Sequence, residues 1–158
     1  MEKPEKILMK MASQLALQNV VEGGGPFGCV IADANDYIVG QGCNRVTLDN
    51  DPTAHAEMVA IRNACKKLGT FSLQGHTLYT SCEPCPMCLS AIYWSRVDRV
   101  YYGNTRKDAK DIGFDDDFIY DEVAKPLGHR KIPITQCGED YAKKAFVLWE
   151  NTDNKTPY

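Results

Sequence analysis

The sequence predicts an α/β protein whose sheet is covered by helices on both faces, a three-layer α/β/α sandwich. β-rich segments alternate with amphipathic helical segments along most of the chain. The length of 158 residues, with 44% apolar and 25% charged residues, is typical of one globular domain. No repeat and no long linker divides the chain, so residues 1–158 are expected to form a single domain.

The first third of the chain predicts a helix followed by a β-hairpin. Apolar residues recur at helical spacing at Ile7, Leu8, Met11 and Leu15. The breaker cluster at residues 23–26 ends that helix. Residues 27–32 and 37–39 are β-rich, and the turn residues between them predict a hairpin.

A second helix is expected to begin at Asp51 and Pro52, with Asp51 as its N-cap and Pro52 at its first position. Gly69 is placed to end this helix in a left-handed conformation. The remaining predicted elements are strands at residues 76–81, 97–102 and 131–136, a helix that begins at residues 84–86, and a last helix at residues 139–150.

Charge and hydropathy exclude several classes of protein. With 18 basic and 21 acidic residues the net charge is −3, which argues against binding nucleic acid through a cationic surface. No apolar segment is long enough to span a membrane, and the charged first residues do not resemble a secretory leader. Seven cysteines in such a chain predict reduced thiols in a cytoplasmic protein rather than a disulfide framework.

Two predicted helix starts carry residues that bind metals. The segment at residues 84–88 places Cys85 and Cys88 three apart on one helical face, and the segment at residues 53–57 contributes the imidazole of His55. Two thiolates and one imidazole are a three-ligand zinc set that leaves a fourth position for water, as in catalytic zinc sites. The sequence therefore predicts a zinc ion, which lowers the pKa of bound water to about 7.

Glu57 is the candidate proton carrier. Residues two apart on a helix point about 200° apart, so His55 and Glu57 share a site only if the helix end itself faces the metal. The carboxylate then accepts a proton from water and passes it to the leaving group. A His-x-Glu motif followed by Pro-Cys-x-x-Cys is also the signature of zinc deaminases. A structural zinc site with Cys82 as fourth ligand is the competing interpretation, but it leaves Glu57 without a role.

On these motifs the chain resembles the cytidine deaminase-like superfamily of zinc nucleoside and nucleobase deaminases, and within it the bacterial guanine deaminases. The resemblance covers nearly the whole chain. The matching segments are Gly24–Gly28, Asn50–Glu57, Tyr79–Cys88, Ala91–Trp94 and Gly113–Tyr120. The zinc motifs identify the superfamily, whereas Gly113–Tyr120 and the terminal Tyr158 point to guanine.

This resemblance implies a five-stranded mixed sheet and the hydrolysis of guanine to xanthine and ammonia. It also implies a homodimer in which residues 139–158, the C-terminal helix and tail, are exchanged between subunits. The implied substrate contacts are Asn44 as a base-binding amide, Phe27 and Trp94 as aromatic walls, and Asp116 and Tyr158 as residues that close the pocket, in the chain's own site or in that of a partner.

The chemistry of these residue types fits a guanine-like base. A carboxylate such as Asp116 accepts from N–H groups on the ring edge and rejects adenine, whose N1 is itself an acceptor. Because the departing amine is the 2-amino group, Asp116 is assigned to other protons of the ring edge. The Asn44 amide can both donate and accept, and Phe27 can stack on a flat ring.

Other functions stay open at this point. Guanosine or a guanine-like triazine fits the same residue types. A tRNA adenosine deaminase shares the zinc motifs but needs a cationic surface for its substrate. A cytidine or deoxycytidylate deaminase is a third possibility, and its nucleotide substrate would need an Arg or Lys clamp for phosphate, which the sequence does not identify. A zinc-bearing interaction module is the non-enzyme alternative.

Overall fold

Four strands form one mixed sheet in the computed structural model, which describes residues 1–158. In chain order these are β1 (Gly28–Ala32), β2 (Ile38–Cys43), β3 (Thr77–Cys82) and β4 (Arg99–Asn104). The order across the sheet is β2-β1-β3-β4, with β1 antiparallel to both β2 and β3, and β3 parallel to β4. The predicted α/β class is therefore confirmed.

The chain divides into two compact units, Met1–Phe118 and Ile119–Tyr158. The first unit contains the sheet. The helices along the chain are α1 (Pro4–Val21), α2 (Val46–Asp49), α3 (Ala56–Leu68), α4 (Pro86–Ser95), α5 (Arg106–Asp111), α6 (Asp117–Ala124) and α7 (Glu139–Glu150).

One face of the sheet packs against α1. Side chains alternate along a strand, so one set of residues from β1 and β3 faces this helix. The buried cluster between them consists of Leu8, Ala12, Val30, Ala32 and Tyr79. Burial of these apolar side chains fixes α1 on the sheet.

The opposite face packs against α3 and α4. Its buried cluster consists of Cys29, Ile31, Val39, Ala56, Ala60, Ala64, Leu73, Leu78 and Ile92. The alanines of α3 and the glycines of β2 let the helix approach the strand closely. A Cβ atom at Gly42 would lie 2.5 Å from the carbonyl oxygen of Ala56, so this position accepts only glycine without a shift. The close approach fixes the N-terminus of α3, from which His55 and Glu57 project.

The start of α3 differs from its prediction. The helix begins at Ala56, with His55 as its N-cap, rather than at Pro52. Asp51 closes a local turn instead, because its carboxylate accepts hydrogen bonds from the backbone N–H of Thr53 at 2.8 Å and from its hydroxyl at 2.7 Å. The predicted end is confirmed, since Gly69 follows the helix with φ of 66°.

The expectation of a fifth strand at residues 131–136 is wrong. Ile132 and Ile134 are two residues apart, as on one face of a strand, but the segment pairs with no strand. Pro133 lies between them and has no N–H to donate to a ladder. The period-two spacing of apolar residues was therefore not sufficient for strand formation in this segment.

The second unit contains α7 at the predicted residues, after a short 3₁₀ turn at Leu127–His129. Arg130 holds this turn region against the preceding helix, because its guanidinium donates to the carbonyl oxygens of Glu122 and Val123 at 3.1 Å each. None of the helices in the structure is long and apolar enough to cross a membrane.

Candidate metal centre and active site

The N-termini of α3 and α4 meet in the first unit. His55 is the N-cap of α3 and Cys85 is the N-cap of α4, so both side chains lie just outside their helices. Cys88 lies in the first turn of α4, and its backbone N–H points to the Cys85 sulfur at 3.5 Å. Both helix N-termini favour negative charge, which stabilises thiolates between them.

Three side chains converge as metal donors. His55 Nδ1 lies 3.5 Å from Cys85 Sγ and 3.5 Å from Cys88 Sγ, and the three atoms lie within 4.8 Å of one another. Tetrahedral zinc, with bonds of about 2.3 Å to sulfur and about 2.1 Å to nitrogen, separates these donors by about 3.6 Å. The residues therefore fit zinc, with one coordination position left over.

The two thiols differ sharply in acidity. The hydrogen bond from Cys88, reinforced by His55, lowers the pKa of Cys85 to about 4. The same hydrogen bond, together with burial, raises the pKa of Cys88 well above its ordinary value. A bound cation would favour the thiolate form of both sulfurs, because cysteine binds a metal only after it loses its proton.

Glu57 lies beside this donor cluster and is buried, with 6% of its surface exposed. Its Oε1 atom accepts a hydrogen bond from the Thr80 hydroxyl at 3.0 Å, and its Oε2 atom lies 3.4 Å from Cys88 Sγ. Burial raises the pKa of the Glu57 carboxyl. A carboxyl group with a raised pKa is suited to take up and release a proton near neutral pH.

A cavity of about 360 Å³ opens over these residues. His55, Glu57 and Cys85 form its floor, and the walls include Phe27, Asn44 and Asp116, three residues that the sequence proposed as substrate contacts. The volume lies at the lower end of the range for ligand pockets, which suits a small planar molecule.

An aromatic pair forms one wall of the cavity. The rings of Phe27 and Phe114 meet edge to face, with centroids 4.9 Å apart and an interplanar angle of 87°. Such pairs hold each other's orientation. Phe114 lies inside the segment Gly113–Tyr120, and no pattern in the sequence predicted a role for it.

Asp116 lies at the cavity wall in a segment held by ion pairs on both sides. Arg106 binds Glu83 at 2.7 Å and approaches Asp117 at 3.9 Å, while Lys110 lies 3.7 Å from Asp115. Burial and the charge on Cys85 raise the pKa of the Asp116 carboxyl. The Asp116 carboxyl group is thus partly shielded from water and lines the cavity in which a ligand would bind.

Cys82 does not join the metal donors. It lies at the end of β3, and its thiol is 3.7 Å from the carbonyl oxygen of Thr105. Burial raises the pKa of Cys82 to about 11, so the thiol stays protonated. The donor group therefore has three protein ligands and not the four of a closed structural zinc site.

Two predicted substrate contacts, Trp94 and Tyr158, belong to different units. Trp94 is on α4 with 62% of its surface exposed, in a shallow depression with Tyr93 and Arg96, and does not line the cavity. Tyr158 belongs to the second unit. Their predicted roles at the substrate remain predictions.

Several site residues carried no signal that sequence reasoning used. Thr80 is the second residue of the matched segment Tyr79–Cys88, and Phe114 is next to the acidic run that contains Asp116. Arg106 follows β4 with no motif around it. Thr80 and Phe114 thus lie in segments that carry the family resemblance, whereas Arg106 lies in none of them, and it is the fold that brings all three to the site.

Comparison with known proteins agrees with this geometry. Residues 2–104 match the family described as the cytidine and deoxycytidylate deaminase zinc-binding region. The chain is 50% identical to guanine deaminase of Bacillus subtilis (strain 168), over 95% of this chain and 96% of that protein. The X-ray structure of guanine deaminase from Bacillus subtilis superposes with a TM-score of 0.93 at 49% identity, covering 97% of this chain and 98% of that one.

A tRNA deaminase is a more limited match. The chain is 41% identical to the tRNA-specific adenosine deaminase of Haemophilus influenzae over 61% of this chain and 56% of that protein. The guanine deaminase match, by contrast, extends over 95% of this chain.

Proposed function

The chain belongs to the cytidine and deoxycytidylate deaminase zinc-binding family, and from this membership we propose that it is a zinc-dependent guanine deaminase, which hydrolyses guanine to xanthine and ammonia. The strongest support is the cavity that Glu57 and the metal donors His55 and Cys85 line together with Phe27, Asn44 and Asp116, in a chain 50% identical to one guanine deaminase over 95% of its length.

His55, Cys85 and Cys88 would hold the zinc. When bound, zinc lowers the pKa of water and supplies a nucleophile near neutral pH. Glu57 accepts the proton of the attacking water and delivers it to the departing 2-amino group. One C2–O bond forms and the C2–N bond breaks, so the nitrogen leaves as ammonia. The Thr80 hydroxyl holds the Glu57 carboxylate during both transfers.

Recognition of the base falls to the cavity walls. Phe27, oriented by Phe114, offers a flat apolar face for the purine ring. The Asn44 Oδ1 atom accepts from the backbone N–H of Val46 at 3.2 Å, so its amide hydrogens serve the substrate. Asp116 accepts from N–H groups of the ring edge other than the amine that leaves. An adenine ring presents an acceptor in place of N1–H and would face this carboxylate unfavourably.

The second unit supports a homodimer with exchanged C-terminal segments. None of residues 119–158 is buried, although many of them are large and apolar. Those on α7 with about half or more of their surface exposed are Tyr141, Phe146, Val147, Leu148 and Trp149. Monomers rarely leave so much apolar surface in water. A second copy of the chain is the partner that the family resemblance implies, with residues 139–158 exchanged between subunits.

A cytoplasmic location is also proposed. All seven cysteines are free thiols, and Cys137 is exposed. Such thiols persist in a reducing compartment.

The first test is ammonia release by the zinc-loaded protein on guanine, guanosine, adenine, cytosine and cytidine in parallel. Turnover on guanine, with little on the other four, is expected. Glu57→Gln should lower kcat by about 10²–10⁴-fold while zinc content is unchanged. Turnover only on guanosine or another base would overturn the guanine assignment and keep the deaminase chemistry. No ammonia release from any of the five substrates, together with inosine formation in a tRNA, would favour the tRNA deaminase alternative.

A further inference from the structure

Asn19 is a buried polar residue that the catalytic account does not use. It lies near the end of α1, on the sheet face opposite α3, with 3% of its surface exposed. Its side-chain amide donates two short hydrogen bonds, one to the carbonyl oxygen of Gly25 at 2.8 Å and one to that of Asn44 at 2.7 Å. Both amide hydrogens are therefore engaged by backbone, as buried polar groups require.

The two acceptors belong to the wall of the active-site cavity. Gly25 and Asn44 both line it. The backbone N–H of Asn44 donates to the carbonyl oxygen of Phe27 at 3.1 Å, and the N–H of Phe27 donates to that of Gly25 at 2.9 Å. Asn19, Gly25, Phe27 and Asn44 are thus joined in one hydrogen-bond network, and all of them except Asn19 line the cavity.

The glycines between Asn19 and Phe27 complete this arrangement. A Cβ atom at Gly24 would collide with the Asn19 amide, and one at Gly25 would lie 3.0 Å from Cγ of Asn44. The chain passes this closely to both asparagines only because these positions lack a side chain. The turn is therefore built around the Asn19 amide, which ties α1 to the cavity wall.

We propose that Asn19 is a positioning residue for base binding, acting through the backbone of Asn44 and the Gly25–Phe27 turn. This rests on the proposed function, in which Asn44 contacts the base. Asn19 touches no substrate. It fixes the backbone positions of Asn44 and Phe27, and so the positions of the amide and the ring that extend from them.

The test is a double-mutant cycle with N19L and N44A. Leucine has the same number of side-chain heavy atoms and the same branching as asparagine, although its methyl groups are larger, and it cannot donate. N19L is expected to raise the KM for guanine about tenfold with kcat per folded molecule little changed, since the metal centre is intact. In the N44A background, N19L should raise KM by a smaller factor than in the wild-type background, because the Asn44 amide that Asn19 positions is gone and only the effect through the Gly25–Phe27 turn remains. Asn19→Ser, which keeps one donor, should give a smaller increase and replaces N19L if that variant does not fold.

The matched control is Leu8→Ala, at a residue buried on the same helix but outside the cavity network. It should lower thermal stability and leave KM unchanged. Additive effects of N19L and N44A on KM, or a KM for N19L equal to that of Leu8→Ala, would show a purely structural role and overturn the proposal.

A readout without turnover separates this proposal from the proposed function. Hydrogen exchange at the backbone amides of Phe27 and Asn44 should quicken at least about tenfold in N19L and not in Leu8→Ala. If the wild-type protein is silent on guanine but exchange quickens, the function fails while the positioning role holds for the cavity wall. Unchanged exchange overturns the positioning role whatever the substrate.

Discussion

The Thr80 hydroxyl donates a hydrogen bond to Glu57 Oε1 across 3.0 Å, between β3 and the first turn of α3. Thr80 is 1% exposed, so no water competes for the carboxylate oxygen at that point. The same hydroxyl lies 3.1 Å from the carbonyl oxygen of Cys82, the residue that ends β3. One side chain therefore joins the proton carrier to the strand beneath the metal centre.

Thr80→Val should slow the chemical step. Valine has the same shape but leaves Glu57 Oε1 without its donor, and a hydrogen bond to a charged group is worth about 1.5–3 kcal/mol. We expect kcat to fall about tenfold to a hundredfold, with KM for guanine nearly unchanged, because the base contacts are elsewhere. Steady-state ammonia release measures both constants.

Thr80→Ser serves as the matched control, since it keeps the hydroxyl. It should retain most of the wild-type kcat. An equal loss in the serine and valine variants would mean that packing of the Thr80 methyl group, and not the hydrogen bond, matters for Glu57.

Phe114→Ala should weaken base binding. Its ring fixes Phe27 from the edge, with the centroids 4.9 Å apart, and aromatic pairs contribute about 0.5–1.5 kcal/mol beyond burial. We expect KM for guanine to rise about three- to tenfold. Phe71→Ala, at an aromatic residue with 57% of its surface exposed and no part in the cavity, should leave KM unchanged. If Phe114→Ala leaves KM unchanged in the otherwise wild-type protein, the aromatic wall does not bind the base.

Removal of a donor should remove the metal. Cys88→Ser is expected to copurify with far less than about one zinc per chain, while Cys82→Ser, at a thiol outside the donor cluster, keeps it. Because the Cys88 thiol has a raised pKa and must lose its proton to bind, zinc affinity should fall as pH falls. Metal analysis and thermal unfolding with and without a chelator measure both effects. Equal zinc loss in the two variants would contradict the donor assignment.

The sequence predicted the parts of this site that local rules determine. Proline and two cysteines at a helix start, and His55 two residues before Glu57, required only the spacing of neighbours to suggest a zinc set. The requirement that the helix end face the metal also followed from helix geometry, and the structure meets it by making His55 an N-cap.

Long-range contacts were beyond such rules. Asn19 meets Asn44 across 25 positions, and Thr80 meets Glu57 across 23, because the sheet order brings their elements together. Local rules also failed where two structures compete. Asp51 fitted a helix N-cap but closes a turn with Thr53, and Ile132 and Ile134 alternate without a partner strand.

Exchange of the C-terminal segment can be tested by mixing two inactive variants. If Tyr158 serves the partner's site, Glu57→Gln and Tyr158→Ala chains form heterodimers in which one site has both native residues and the other has neither. Refolded together in equal amounts, they should regain about a quarter of wild-type activity, since half of the dimers are mixed and each has one complete site. The control is the same mixture without unfolding, in which subunits have not exchanged. No recovery after refolding, with dimers present by light scattering, would place Tyr158 at its own chain's site or at none.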